Sequence, residues 1–236
     1  MCPVLHMISP SGKLCTKDSC KKDCKECLNQ KKALIDSNAY LEKWYCEHSK
    51  VMNLCKKIVF PSMFAKERML GFYPQISHQS IIIEHGIDFP QKIKTNYHEH
   101  KRLRVAFIGG ISEVKGASVI YQLITGDRKK YEWYLMGGIS DIELYHLKQP
   151  NLTKTGWYKR NDIFGLLEKH EIDIVCLLST VAETFCYTLS ETLAMKIPVI
   201  ATNAGALGMR IKELNCGWLV KRDAVADDVR QILDYL

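Results

Sequence analysis

The sequence predicts an α/β fold in which helices cover both faces of a parallel β-sheet. Over residues 103–236, short apolar runs rich in β-branched residues alternate with segments of helical periodicity. The run at 173–179, DIVCLLS, is apolar between its two ends, as expected for a strand buried on both faces. Strands that alternate with helices need crossover connections, so neighbouring strands should run parallel.

Each element of this part follows from a local pattern of apolar residues bounded by glycine, proline or polar residues. The predicted strands are 103–109, 131–137, 151–155, 173–179, 198–202 and 218–220. The predicted helices are about 115–124, 141–147, 160–170, 187–195, 208–214 and 223–236. Ligands on parallel sheets bind at the carboxyl ends of the strands, so a site is expected in the loops that follow them.

The first hundred residues follow a different pattern. The cysteine-rich segment is polar and is expected to be irregular. A long amphipathic helix is predicted at 36–55, and strands are predicted at 57–62 and 80–86. Residues 91–102 are polar and lack a period, which is typical of a linker between two lobes.

Two domains are therefore expected, 1–95 and 100–236. The first is an incomplete α/β lobe that contains the cysteine-rich segment, and the second is the parallel-sheet domain. The 236 residues are enough for one large or two small domains, and a hydrophobic content of 47% is ordinary for a globular protein.

Positive charge is concentrated near the amino terminus. The chain carries a net charge of +7, and residues 1–66 hold 12 Lys and Arg against 6 Asp and Glu. Nucleic acid, an anionic membrane surface or a phosphorylated ligand would each suit this surplus, and so would a plain solvated face. No run reaches the roughly 18 apolar residues that a membrane span needs, and a secretory signal pattern is not evident, so a cytoplasmic location is expected.

The stretch AETFCYTLSETLAMKIPVIAT, residues 182–202, contains the strongest candidate site. Glu183 follows the buried strand, and Glu191 lies about one turn inside the next helix. The N–H groups at a helix start attract phosphate or sugar oxygens, and a carboxylate accepts hydrogen bonds from paired hydroxyls. The alternative is that Glu183 only favours the helix dipole and that Glu191 is a solvated surface residue.

Over residues 80–220, the surroundings of this stretch resemble those of a known family, the retaining nucleotide-sugar glycosyltransferases of the GT-B fold, or glycosyltransferase group 1. Glu183 and Glu191 match the family's glutamate-x7-glutamate motif. Four further stretches are similar to its landmarks: EHGID (84–88), FIGGISEVKG (107–116), TGWYKRNDIFGLL (155–167) and NCGWLV (215–220).

The resemblance implies a Rossmann-like carboxyl-terminal lobe that binds the donor. Glu183 would accept hydrogen bonds from the donor sugar, Glu191 from the ribose, and Lys115 would neutralise the diphosphate as it leaves; Lys115 is otherwise read as a solvated lysine. Glu183 and Lys115 are thus the candidate catalytic residues. The candidate binding residues are Gly109, Gly110, Lys115, Tyr158 (near the base), Glu183, Phe185, Cys186, Tyr187, Thr188 and Glu191.

The implied activity is transfer of a sugar from a nucleoside-diphosphate sugar to an acceptor hydroxyl with retention, in polysaccharide or glycoconjugate synthesis. The resemblance implies no required cofactor and a saccharide or lipid-linked acceptor. The basic amino-terminal part would suit a lipid-linked acceptor through peripheral contact with the inner face of the cell membrane, and a nucleic-acid partner is not expected. Two alternatives remain: a catalytically silent module that binds a sugar nucleotide or a protein, and a nucleotide-sugar epimerase.

This sequence departs from the family pattern in three ways. Gly110 stands where the family commonly has an arginine, and the candidates to replace that cation are Arg160, Arg210 and Lys212. Thr184 and Cys186 replace residues that are often glycine. The part before the linker is short for a complete first lobe, so the chain resembles an enzyme truncated at its amino terminus.

Four cysteines crowd into one short segment near the amino terminus: Cys15, Cys20, Cys24 and Cys27. This density is sufficient for a structural zinc site with four thiolate ligands, although the spacing is not that of a standard zinc finger. Disulfides in an exported protein and free thiols on a surface loop are the two other interpretations.

Overall fold

The computed structural model describes residues 9, 15, 17–30, 37–89 and 100–236. Contacts divide the chain into two units, Met1–His85 and Gly86–Leu236. This division falls before the boundary at 95–100 that the sequence predicts. Ile87 accounts for the difference, because it packs against the core of the second unit. The predicted linker at 91–102 lies mostly outside the described residues.

The first unit combines helices with a small parallel sheet. Its elements are α1 (Lys17–Gln30), α2 (Ser37–Leu54), β1 (Ile58–Phe60), α3 (Met63–Phe72), a 3₁₀ turn (Pro74–Gln79) and β2 (Ser80–Ile82). In the described part of this unit, β1 and β2 pair in parallel. Ile76 and Tyr73 lie at the centre of the core beneath them.

The expectation of an irregular cysteine-rich segment is wrong, because α1 covers most of it. Cys24 is buried and clusters with Leu41 of α2, and Leu28, one turn further along α1, packs against the same cluster. The Cys24 thiol lies 3.8 Å from the hydroxyl of Tyr45. Burial against α2 therefore fixes a helix whose own composition is too polar to predict it.

The second unit confirms the predicted α/β class. Among residues 100–236, six parallel strands form one sheet. The strands are β3 (Leu103–Ile108), β4 (Tyr131–Met136), β5 (Leu152–Gly156), β6 (Ile174–Leu177), β7 (Val199–Thr202) and β8 (Gly217–Val220). The helices are α4 (Ala117–Gly126), α5 (Ile142–His146), α6 (Ile163–Lys169), α7 (Tyr187–Ala194), α8 (Ala206–Leu214) and α9 (Ala226–Tyr235).

Hydrophobic clusters cover both faces of this sheet. Side chains of β3 alternate between them: Val105 and Phe107 belong to one cluster. Ala106 and Ile108 belong to the other. This alternation on a fully buried strand explains why its sequence is apolar at every position after Arg104. Within the described ranges, none of the helices has the length and apolar character needed to span a bilayer.

The strand order β5-β4-β3-β6-β7-β8 determines where a ligand can bind. From β3 the chain proceeds outward through β4 to β5, and then returns to the other side of β3 for β6. The connections after β3 and β6 therefore leave the sheet in opposite directions and open a crevice between their carboxyl ends. The loops that follow Ile108 and Leu177 border this crevice.

Candidate functional site

A small cavity of about 80 Å³ lies at the carboxyl ends of β3 and β6. It brings together residues from the ranges 107–120 and 176–188, which are distant in the sequence, and Leu207. Six of the ten predicted binding residues line it: Gly109, Gly110, Lys115, Glu183, Cys186 and Thr188. Of the remaining four, Tyr158 lies in the loop after β5, Phe185 lies in the loop before α7, and Tyr187 and Glu191 lie on α7.

The loop after β3 is held against the end of β6 by a close backbone contact. Gly116 has φ +84°, and a Cβ atom built on it would lie 2.4 Å from the carbonyl oxygen of Leu178. The carbonyl of Val114 accepts hydrogen bonds from the Thr180 N–H at 3.0 Å and from the Ser179 hydroxyl at 3.3 Å. Lys115, between these two anchors, is thereby fixed at the mouth of the crevice.

Lys115 and Glu183 form an ion pair between the lysine Nζ and the carboxylate Oε1. The Glu183 side chain is 16% exposed and the Lys115 side chain 43%. The backbone of Glu183 is fixed as well, because its carbonyl accepts a hydrogen bond of 2.8 Å from the Ala206 N–H. A cation and an acceptor are therefore placed side by side in the crevice, in the loops where the sequence predicts them.

Cys186 adopts the left-handed conformation, with φ +71°, immediately before α7 begins at Tyr187. Burial raises the pKa of its thiol, and the negative charge of Glu183 acts in the same direction. The thiol therefore stays protonated at neutral pH and is not a nucleophile. Its structural role is to turn the chain so that the amino end of α7 borders the cavity.

Arg210, on α8, holds the loop before α7 in place. Its Nη1 donates to the carbonyls of Phe185 at 3.0 Å and Cys186 at 3.2 Å, and its Nη2 donates to the Ser190 hydroxyl at 2.8 Å. The guanidinium also lies 4.3 Å from the centroid of the Phe185 ring. Arg210 thus stabilises the backbone of the site, a role that its sequence position does not reveal. Lys212, another candidate replacement cation, is exposed near the end of α8.

Glu191 is buried, with 5% of the residue exposed, so the alternative of a solvated surface residue is wrong. Its Oε1 lies 3.4 Å from the Nε of Arg160. Burial raises the pKa of this carboxyl, and the charge and hydrogen bond of Arg160 oppose the increase. A buried carboxylate held by one partly exposed arginine has free acceptor capacity, which suits a ligand that offers hydroxyl donors.

Tyr158 lies close to the same carboxylate. Burial raises the pKa of its phenol to about 12, with a smaller contribution from the charge of Glu191, while a hydrogen bond with the backbone of Gly109 lowers it. Tyr158 is therefore neutral at physiological pH. Tyr158 thus lies between the loop after β3 and α7, and its contact with the base of the donor stays a prediction.

The described side chains do not test the predicted zinc site at Cys15, Cys20, Cys24 and Cys27 in full. Among the residues whose side chains are described, no three His, Cys, Asp or Glu come together as a metal site. Cys20, one of the four cysteines, is outside that set. Cys15 and Cys24 are buried, and Cys27 is partly buried.

Solved structures with the same fold include HepE of Anabaena in complex with UDP, sucrose-phosphate synthase of Thermosynechococcus elongatus and a glycosyltransferase of Rickettsia africae. HepE is 17% identical, with a TM-score of 0.60 over 78% of this chain and 54% of its own. The synthase is 17% identical, with a TM-score of 0.62 over 82% of this chain and 53% of its own. The Rickettsia protein is 20% identical, with a TM-score of 0.60 over 91% of this chain and 69% of its own.

At these identities the likeness concerns the fold, and the chain spans about half the length of the first structures it matches. No curated protein matches the sequence at a significant level. A family match is nevertheless clear: residues 88–236 match the sequence profile described as Glycosyl transferases group 1. Because this match covers more than half of the chain and includes every part of the crevice, the protein belongs to the glycosyl transferases group 1 family.

Proposed function

We propose that the protein transfers a sugar from a nucleoside-diphosphate sugar to an acceptor hydroxyl, with retention, in polysaccharide or glycoconjugate synthesis. The observation that carries this proposal is the placement of Lys115 and Glu183 as a pair beside the amino end of α7, within the region that matches the family. Such a crevice offers a cation and helix N–H groups to a diphosphate, and a carboxylate to sugar hydroxyls.

In this proposal, each residue of the site binds a different part of the donor. Glu191 accepts hydrogen bonds from the ribose, and the N–H groups at the start of α7 face the diphosphate. Lys115 stabilises the negative charge that grows on the departing diphosphate, and a preorganised cation of this kind lowers the barrier to bond cleavage. Glu183 orients the sugar through its hydroxyls. These roles need no metal ion.

The family and the charge distribution support a choice of donor and acceptor to test. HepE is described in complex with UDP and with UDP-glucose, so these two ligands are the first probes for this chain. The basic surplus in residues 1–66 suits a lipid-linked or anionic saccharide acceptor at the inner face of the cell membrane.

A thermal-shift screen against UDP-, GDP-, ADP- and dTDP-sugars tests donor binding. At a ligand concentration of 100 times Kd, the free energy of unfolding should increase by about 2.7 kcal/mol. The absence of a shift with all four donors would overturn the proposed function. Once a donor is identified, the release of nucleoside diphosphate is measured with and without an added saccharide. Release that requires the saccharide indicates a transferase, and no release indicates a silent binding module.

Replacing Glu191 by glutamine should weaken the binding of the nucleoside that corresponds to the preferred donor by about tenfold. The amide keeps the shape of the side chain but loses the charge and one acceptor oxygen, which removes a charge-assisted hydrogen bond. Isothermal titration calorimetry with the nucleoside measures the change. Glu143→Gln, on the exposed surface of α5, is the matched control and should leave the affinity unchanged. Equal affinities for Glu191→Gln and the unsubstituted protein would contradict the assignment.

A further inference from the structure

We propose that Arg160 is a positioning residue that keeps the Glu191 carboxylate ionised and oriented, ready to accept hydrogen bonds from the two ribose hydroxyls. The part that concerns ribose rests on the proposed function. The coupling between Arg160 and Glu191 does not, because it is a property of the protein without ligand.

The contact is asymmetric in its exposure to solvent. Arg160 Nε lies 3.4 Å from Glu191 Oε1, and 54% of the arginine side chain is exposed against 6% of the glutamate side chain. The arginine therefore keeps most of its hydration while it neutralises a carboxylate that has lost nearly all of its own. This arrangement avoids much of the desolvation cost of a fully buried pair.

An aromatic ring fixes the arginine in this position. The Arg160 guanidinium carbon lies 4.1 Å from the centroid of the Tyr187 ring. Tyr187 and Glu191 are four residues apart on α7, so their side chains share one face of the helix. Phe185 supports the Tyr187 ring from the side, with ring centroids 5.3 Å apart at an interplanar angle of 71°. Arg160 thus contacts two neighbouring side chains of α7 while about half of its own side chain stays exposed.

The backbone that carries Arg160 is also fixed. Arg160 begins a 3₁₀ turn, Arg160–Asp162, that leads into α6. The Asp162 N–H donates to the Lys159 carbonyl at 2.7 Å, and the Lys159 N–H donates to the Asp162 carboxylate at 3.2 Å. A side chain that leaves a closed turn and rests on an aromatic ring has few alternative positions.

The other ionisable groups near Glu191 do not supply a positive charge. Asp88 lines a cavity of about 70 Å³ together with Arg160, Asn161 and Glu191, and among the described residues that line it Arg160 is the one cation. Tyr158, whose pKa is raised to about 12 by burial, is neutral. Asp88 brings no positive charge, so among these residues Arg160 is the group that opposes protonation of Glu191.

Ionisation matters because it determines what the carboxyl group can bind. A carboxylate accepts hydrogen bonds through both oxygens, whereas the protonated acid uses one oxygen as a donor. A vicinal diol such as that of ribose presents two O–H donors side by side. Burial raises the pKa of Glu191, and Arg160 is the group that opposes this increase. Without Arg160, the pKa of this carboxyl would increase further, and more of it would be protonated at any given pH.

The first test uses the protein without ligand. A carboxyl whose pKa is higher in the folded than in the unfolded state stabilises the fold below its unfolded pKa, and that contribution is lost as pH increases through the folded pKa. The melting temperature is measured from pH 4.5 to pH 8.5 for four forms: unsubstituted, Glu191→Gln, Arg160→Gln and the double variant. In each background, the difference made by Glu191→Gln isolates the titration of Glu191.

We expect the pH window of this difference to move upward by about one unit or more in the Arg160→Gln background, since a lost ion pair shifts a carboxyl by this order. Arg160→Lys should restore part of the original window, because it keeps the charge. Arg128→Gln, which removes an arginine far along the chain on the loop after α4, should leave the window unchanged. The same window in the Arg160→Gln background as in the unsubstituted protein would overturn the proposal.

The second test uses ligands, namely the nucleoside diphosphate preferred in the screen and its nucleoside. Between pH 8 and pH 6, Arg160→Gln should lose about tenfold more affinity than the unsubstituted protein, since one pKa unit corresponds to a tenfold change. The loss should be equal for the two ligands, because both carry the ribose. A loss that is confined to the diphosphate and independent of pH would mean that Arg160 binds phosphate directly, and would overturn the proposal. If neither ligand binds, the proposed function fails, while the ligand-free test still decides the coupling.

Discussion

Replacing Lys115 by alanine is expected to weaken the binding of a nucleoside diphosphate by about ten- to a hundredfold and to leave the free nucleoside almost unaffected. The range corresponds to the loss of a hydrogen bond to a charged group, about 1.5–3 kcal/mol. Turnover should fall further, by about 10²–10³, because the leaving diphosphate is more negative in the transition state than in the bound donor. In the proposed mode of donor binding, the ion pair with Glu183 holds the ammonium group beside the leaving diphosphate.

Calorimetry measures the affinity for the nucleoside diphosphate and for the nucleoside separately. Release of the nucleoside diphosphate during the reaction measures turnover. Lys148→Ala removes an exposed lysine after α5 and is the matched control. Losses of equal size for diphosphate and nucleoside would contradict the role of Lys115, because a cation at the diphosphate has no contact with the base or ribose. Glu183 loses its partner in this variant, so the melting temperature is measured in parallel.

Replacing Gly137 by alanine should destabilise the second unit by about 2–5 kcal/mol, through backbone strain and overpacking together. Gly137 follows β4 with φ +133°, and a Cβ atom there would lie 2.1 Å from the carbonyl oxygen of Gly109. The backbones of Gly109 and Gly137 are held close together, because the Gly109 N–H donates to the carbonyl of Met136 at 2.9 Å. The substitution would therefore push apart the loops that follow β3 and β4.

The expected decrease in the melting temperature is about 4–20 °C, at roughly 2–4 °C for each kcal/mol in a chain of this size. Gly165→Ala is the matched control. Gly165 lies inside α6, and a Cβ atom there would have no described heavy atom within 4 Å. Alanine at this position should stabilise the helix by about 0.5–1 kcal/mol. A melting temperature for Gly137→Ala equal to that of the unsubstituted protein would show that the two loops are free to separate.

The strands of the second unit are predictable from the sequence because burial on both faces leaves a continuous apolar run that a helix of the same length rarely shows. The predicted bounds in this unit differ from the observed ones by one or two residues at the strand ends and by two or three at the starts of α4, α6, α8 and α9. Gly109 and Ser179 end the apolar pattern but lie one and two residues beyond the ends of β3 and β6. The start of α4 differs for a similar reason, because Glu113–Lys115 forms a 3₁₀ turn and Gly116 interrupts the helix before Ala117.

The candidate site was less predictable than the fold. The spacing of Glu183 and Glu191 identified two residues that the structure places on either side of the start of α7. The burial of Glu191 was not evident, since a glutamate within a helix usually faces solvent. The contributions of Arg160 and Arg210 depend on contacts between elements 20 to 31 residues apart, and local periodicity contains no information on such contacts.

The ion pair between Lys115 and Glu183 has a consequence for substrate choice if the two residues act as proposed. A free hexose that enters the crevice must compete with an ammonium group for the carboxylate. A sugar delivered on a diphosphate brings a counter-charge that draws the ammonium away and releases the carboxylate. The resting protein would then reject unactivated sugars by the same contact that prepares it for the activated one.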